Sequence, residues 1–183
     1  MHRWASVYFR RNSKTAGETL ISQSIHSLLL KRLRGRIAIV GIGNRDCRDD
    51  GAGLSVIEKL SRSSSLKTID AGDSPELILD SIVQDSPDVV MFVDSSDLDS
   101  EPGSAAIVEK EQLDPGWGNG HQPPLSAIMT YVAERSGADT FLLGIQPADI
   151  GSGFGISPPV SNTVEIIADC INCAASKKEV AAR

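Results

Sequence analysis

The sequence predicts an α/β fold: a single three-layer αβα domain around a mostly parallel, twisted sheet of about five strands. Three observations carry this. Short apolar runs recur at Arg36–Gly41, Asp88–Asp94 and Thr140–Gly144, without the polar alternation of a half-solvated sheet. Segments of helical apolar spacing separate the runs, as crossover connections between parallel strands require. With 183 residues, 40% of them hydrophobic and only 4% aromatic, the chain can fill one core, built from Ile, Leu, Val and Ala.

The chain opens on a basic head. Residues 1–36 hold eight Lys or Arg against Glu18 alone, whereas residues 37–183 hold 10 basic and 23 acidic residues. So acidic a body repels phosphate backbones, which argues against nucleic acid as a partner. Residues 1–18 lack periodic apolar content and are expected to form a disordered leader; a membrane or nucleic-acid arm and a transit-like peptide are the rival readings. A single α/β domain is expected over residues 19–176. From Thr19 to Leu33 the apolar positions Leu20, Ile21, Ile25, Leu28, Leu29 and Leu33 follow helical spacing, with Lys31, Arg32 and Arg34 in the last turn and Gly35 as a stop.

Arg36–Gly41 then reads as a buried strand, residues 44–50 as a loop, and Gly51–Leu60 as a helix. Leu66–Asp70 is a second strand. Pro75–Val83 follows as a helix with proline in its first turn. Asp88–Asp94 is the strongest strand signal and Ala105–Val108 a shorter one. Residues 111–124 form a loop rich in proline and glycine, too rigid for a linker. Leu125–Arg135 is a helix, Thr140–Gly144 a strand, Gln146–Pro159 a loop, and Val160–Ala174 a closing helix, with residues 177–183 as a frayed tail. No stretch approaches ~18 consecutive apolar residues, so no membrane insertion is expected. Three cysteines form no framework, which fits a reducing cytoplasm.

Open α/β sheets bind ligands beyond the carboxyl ends of their strands. The first strand delivers Gly41-Ile-Gly43-Asn44-Arg45-Asp46-Cys47-Arg48-Asp49-Asp50-Gly51-Ala52-Gly53 to that edge. A dinucleotide fingerprint is excluded because Asp46 stands where a small residue must meet the pyrophosphate. A P-loop fails for want of Gly-Lys-Ser/Thr, and a calcium loop from Asp46 would place Ile57 where glutamate belongs. Asp49 reads as a helix cap. For Asp50 a dipole role and a chemical one weigh equally.

Asp94 closes the strongest strand, and its rival readings are turn chemistry and a metal ligand. His121, the single histidine of the acidic body, sits in the braced loop before a helix. Two carboxylates and an imidazole would suit a borderline divalent metal with open positions. Cys170 and Cys173 read as packing residues. Cys47, flanked by Arg45 and Arg48, lacks an activating base.

Taken together, Gly41-x-Gly43-Asn44-x5-Asp50-Gly51-x-Gly53 resembles the opening motif of the hydrogenase maturation endopeptidases. Further matches follow in order: Ile69-Asp70-Ala71-Gly72 is similar to the family's Asp-Gly-Gly stretch, Val93-Asp94 to its strand-end aspartate, and His121-Gln-Pro-Pro-Leu125 to its His-x-x-Pro-Leu segment. Gly144-Ile-Gln-Pro147 resembles the hydrogenase-3-type branch. Ala71 and Asp73 depart from the pattern. The resemblance covers roughly residues 35 to 170.

The resemblance implies an enzyme that removes the C-terminal extension of a nickel–iron hydrogenase large-subunit precursor in the cytoplasm, after nickel insertion. It implies that Asp50, Asp94 and His121 contact the metal, and that Asp50 or Asp94 is the catalytic carboxylate. Substrate contacts would fall on Gly43, Asn44, Asp70, Gly72 and Gln146. The nickel arrives in the substrate, with zinc or cadmium as surrogates in crystals. Two alternatives stand beside this reading: a nickel-binding chaperone or recognition module without peptidase activity, and a hydrolase carrying its own metal.

Overall fold

The structure is a computed structural model that describes residues 8–9, 17–61, 66–113 and 123–181, with side chains described between residues 25 and 176 of those segments. Its elements in chain order are β1 (Tyr8–Phe9), α1 (Gly17–Arg32), β2 (Ile37–Gly41), α2 (Ala52–Glu58), β3 (Leu66–Asp70), α3 (Leu79–Val83), β4 (Val89–Ser95), β5 (Ala105–Val108), α4 (Leu125–Ser136), β6 (Asp139–Ile145) and α5 (Pro158–Ala181). The sheet order is β1-β5-β6-β4-β2-β3. The β2, β3, β4 and β6 pairings are parallel, and β5 and β1 add antiparallel edges. Five strands of four residues or more build the expected three-layer architecture; the sixth has two residues.

Why the strands read as unbroken apolar runs is now visible. All five residues of β2 are buried, as are the first five of β4 and the last six of β6. Their side chains alternate between two cores. Ile37, Ile39, Met91, Val93, Phe141 and Leu143 face α1, α2 and α5; Ala38, Val40, Val90, Phe92 and Leu142 face α3 and α4. Helices cover both faces, so neither can tolerate polar residues.

Several boundaries differ from the sequence reading. The expected leader contains β1, which pairs Tyr8 with Ala106 and Phe9 with Ala105 at the sheet edge. The aromatic, β-favouring pair suits that position. The helix expected over Gly51–Leu60 is preceded by a 3₁₀ turn, Arg48–Gly51, and Pro75–Val83 divides into a 3₁₀ turn, Pro75–Ile78, followed by α3. The last helix starts at Pro158, where prolines fit a first turn, and runs to Ala181, past the expected end at Ala174 and into the expected frayed tail. Nothing in Ala175–Ala181 opposes a helix. Of the proline- and glycine-rich loop, residues 114–122 lie outside the described residues, His121 among them.

The strand order places a switch point between β2 and β4. From β2 the chain crosses through α2 to β3; from β3 it crosses the opposite face through α3 and returns to the far side of β2 as β4. Connections leaving β2 and β4 therefore diverge. That divergence is the switch point where such sheets bind ligands.

Candidate active site

At the switch point the carboxyl ends of β2, β3 and β4 are locked together. The Ile42 amide donates to the Val93 carbonyl (2.9 Å), and the Ala71 amide to the Gly41 carbonyl (2.9 Å). Helix α2 then packs tightly against both strands through Gly53: a Cβ there would lie 2.1 Å from the Val93 oxygen and 2.4 Å from that of Ile42. No other residue permits that approach.

Two aspartates come together on this frame. Asp50 lies in the 3₁₀ turn that opens α2, and its carboxylate is held by two donors. The Asn44 amide donates to Oδ2 (2.8 Å) and the Ser95 hydroxyl to Oδ1 (3.0 Å). Gly43 makes the turn feasible: its φ is +135°, and a Cβ would stand 1.8 Å from the Asp50 carbonyl oxygen. Asp94 ends β4. Desolvation first, and the neighbouring Asp50 charge second, push its carboxyl up to about 7, against the opposing hydrogen bond from the Ser95 backbone. Among the described residues neither aspartate is ion-paired.

The remaining expected residues fall around this pair in different ways. Gly43 and Asn44 shape the Asp50 turn, and the Gly43 amide reaches the Gly72 carbonyl (2.8 Å). Asp70 sits at the end of β3, where its carboxylate accepts from the Gly72 amide and pairs with Arg45 (3.0 Å). Gln146 turns inward: its Oε1 accepts from the Leu98 amide (2.6 Å) and bridges toward Ser100, bracing the loop after β4. His121 lies outside the described residues. Among those described, no three His, Cys, Asp or Glu side chains are grouped to hold a metal.

Asp49 is structural, as expected, but not as a helix cap. It is fully buried, and no side-chain cap bond forms at this turn. Instead its carboxylate accepts from the amides of Ala148 (2.8 Å), Asp149 (3.2 Å) and Ser157 (2.6 Å) and from the Ser157 hydroxyl (2.8 Å). This clamps residues 146–157 across the edge, where Gly153 bridges to Cys47. The partners lie about a hundred positions away in sequence, so spacing could not reveal them. Ser95 was likewise missed as a site residue; its only sequence signal was adjacency to Asp94. Cys170 behaves as a packing residue, because burial, with Asp169 and Cys173 beside it, pushes its thiol up.

Comparison with known proteins agrees with this architecture. A sequence model of the family described as HycI, hydrogenase maturation protease, matches residues 54–173, about two thirds of the chain. The match takes in Asp94 but begins four residues after Asp50. The hydrogenase 3 maturation protease of Escherichia coli K12 is 28% identical over 129 residues, spanning 69% of this chain and 82% of that protein. The crystal structure of the [NiFe] hydrogenase maturation protease HycI from Thermococcus kodakarensis superposes with a TM-score of 0.74 at 28% identity, covering 81% of this chain and 99% of that one. The hydrogenase maturating endopeptidase HybD from E. coli, at 19% identity and a TM-score of 0.63 over 78% of this chain and 93% of that one, shares the fold. The chain therefore belongs to the hydrogenase maturation protease family, and with it to the peptidases that process hydrogenase precursors.

Proposed function

We propose that this protein is the endopeptidase that removes the C-terminal extension of a nickel–iron hydrogenase large-subunit precursor in the cytoplasm, once nickel is in place. The observation that carries the reading is the Asp50–Asp94 pair at the switch point: two carboxylates without cationic partners among the described residues, close enough for one charge to oppose the other. Such a pair is relieved by an incoming dication. Carboxylate oxygens, with the imidazole of His121 as the third ligand, suit a borderline metal and leave coordination positions for substrate groups.

Nickel held by the precursor would satisfy that pair and mark the substrate as ready. In the cleavage, water adds its hydroxyl to the scissile carbonyl carbon, the C–N bond breaks, and the leaving amine takes the proton. One of the two aspartates accepts the proton from water and passes it on. Gly43, Asn44, Asp70, Gly72 and Gln146 would border the bound peptide. The donors on Asp50 aim its carboxylate.

The experiment is incubation with a nickel-loaded precursor and with its nickel-free counterpart. C-terminal shortening of the first alone is the expected result. Association without shortening would favour a recognition module, and stoichiometric metal retained by the isolated protein after chelation would favour a resident-metal hydrolase. Asp94→Asn should slow cleavage at least ~100-fold, the usual scale for a lost proton-transfer group. His121→Gln, which keeps hydrogen bonding but coordinates nickel poorly, should abolish cleavage in a folded protein. Normal cleavage by that variant would remove His121 from the site.

A further inference from the structure

Among the described residues, large apolar side chains left in water are few, and most of them share one edge of the sheet. Among the described residues four stand out: Leu77 (80% exposed), Phe154 (86%), Ile150 (57%) and, marginally, Tyr131 (36%). The first three all sit on connections that leave the carboxyl ends of strands. Leu77 follows β3, and Ile150 and Phe154 follow β6. Isolated exposed apolar residues need no explanation, but a concentration on one edge marks an interaction surface.

These connections form one rim. Residues 146–157 cross to the β2 loop, where the Arg48 amide donates to Gly153 (2.9 Å) and the Gly153 amide to Asp46 (2.8 Å). The β2 loop is tied in turn to the segment after β3 by the Gly43–Gly72 bond and the Arg45–Asp70 pair. Leu77 and Phe154 thus sit on connections to either side of the Asp50–Asp94 pair on a braced frame, and among the described residues nothing packs over them.

The charge on the rim selects the occupant. Leaving out the buried Asp49, residues 42–51, 71–78, 96–104 and 146–157, with the strand-end Asp70 and Asp94, contain ten acidic residues and two arginines. Both arginines are engaged within the rim or beside it: Arg45 with Glu58 and Asp70, Arg48 with Asp149. The surface is therefore apolar points in an acidic field. A second copy of the same surface would be repelled, whereas a cationic chain would be attracted and steered in.

We propose that the rim carrying Leu77, Ile150 and Phe154 is the docking surface for a basic segment of the precursor polypeptide that presents apolar side chains beside the scissile bond. The inference rests on the peptidase reading and adds to it a partner chemistry and the residues that read it. Phe154 and Leu77 bind substrate without touching the reacting atoms, so they govern affinity rather than the chemical step.

The test measures binding separately from cleavage, using the full-length protein and a fluorescently labelled, nickel-loaded precursor followed by anisotropy, with shortening read on gels. Phe154→Ser combined with Leu77→Ser should weaken binding at least tenfold and raise KM by a similar factor. The kcat and Tm should stay unchanged, because both side chains are in water. Wild-type affinity should also fall about tenfold or more between low and physiological salt. Affinity within twofold of wild type in the double variant, or no salt dependence, overturns the proposal. So does a wild-type dimer by sedimentation that the double variant abolishes while precursor binding persists. Absence of any wild-type binding overturns it as well. Loss of binding in the variant, with no cleavage even by wild type, keeps the docking surface and removes the peptidase reading.

Discussion

The two edges of the sheet treat their charges in opposite ways. At the amino edge, carboxylates are matched with cations. Arg32, at the end of α1, forks between Glu109 and Asp139 (Nε to Oδ2, 2.6 Å) and lies 4.1 Å above the Phe141 ring centroid. Lys67 pairs with Asp85 (2.6 Å), and Asp88 accepts from the Arg36 amide (2.7 Å). At the carboxyl edge the innermost aspartates are left to hydroxyls, amides and one another, although Arg45 and Arg48 stand nearby and pair with outlying carboxylates instead. The first arrangement holds the fold together; the second keeps negative charge available. Natural proteins accept such conflict where function requires it.

Four changes would break or sharpen this contrast. The largest effect should come from Asp49→Ala. It removes a fully buried carboxylate with four donors and leaves the strap from 146 to 157 without its clamp. A loss of roughly 3 kcal/mol by urea unfolding is expected, with impaired cleavage. A loss below ~1 kcal/mol would mean that the strap holds itself.

Next is Asp94→Asn, which should stabilise the protein. The carboxyl of Asp94 rises in the folded state to about 7, from an unfolded value near ~3.9. The folded protein therefore binds more protons, and this group's contribution is full below about pH 4 and lost as pH rises to about 7. The variant escapes that loss. The full shift corresponds to roughly 4 kcal/mol. Because the Asp94 side chain is only partly buried, the variant should gain about half of that over wild type at pH 8 and nothing at pH 4, as measured by thermal unfolding across pH. Equal stabilities at pH 8 would contradict the strained pair.

Arg32→Ala tests the other edge. Losing a guanidinium that bridges two carboxylates over an aromatic ring should cost about 1.5 kcal/mol, while precursor cleavage continues at the wild-type rate. A drop in cleavage matching the Asp94 variant would erase the division between edges. The smallest effect is expected from deleting residues 1–16. That removes the two-residue β1 from the antiparallel margin, far in the sheet order from β2. Stability should change by less than about 1 kcal/mol and cleavage not at all.

How much of this was legible beforehand depended on whether the signal was local. Buried parallel strands announce themselves as apolar runs, because both faces must be apolar; β2, β4 and β6 were read from that fact. Asp50 and Asp94 could be nominated because each stands where a strand or turn ends. The brevity of α3 and the helical run to Ala181 were less legible, since propensities change gradually along the chain while hydrogen bonding ends abruptly.

The sequence by itself determined the fold class, the acidic body, the strand-end position of Asp94 and the glycines of the β2 turn, because periodicity, composition and backbone sterics act over a few residues. Only the tertiary structure decided that Asp49 and Asp50, adjacent in the chain, part company. One is buried as a clamp on residues 148–157, and the other is turned to Ser95 and Asp94. Their fates diverge because each depends on partners that folding brings from 45 to 108 positions away. Such proximity belongs to the strand order, and no short stretch of sequence contains it.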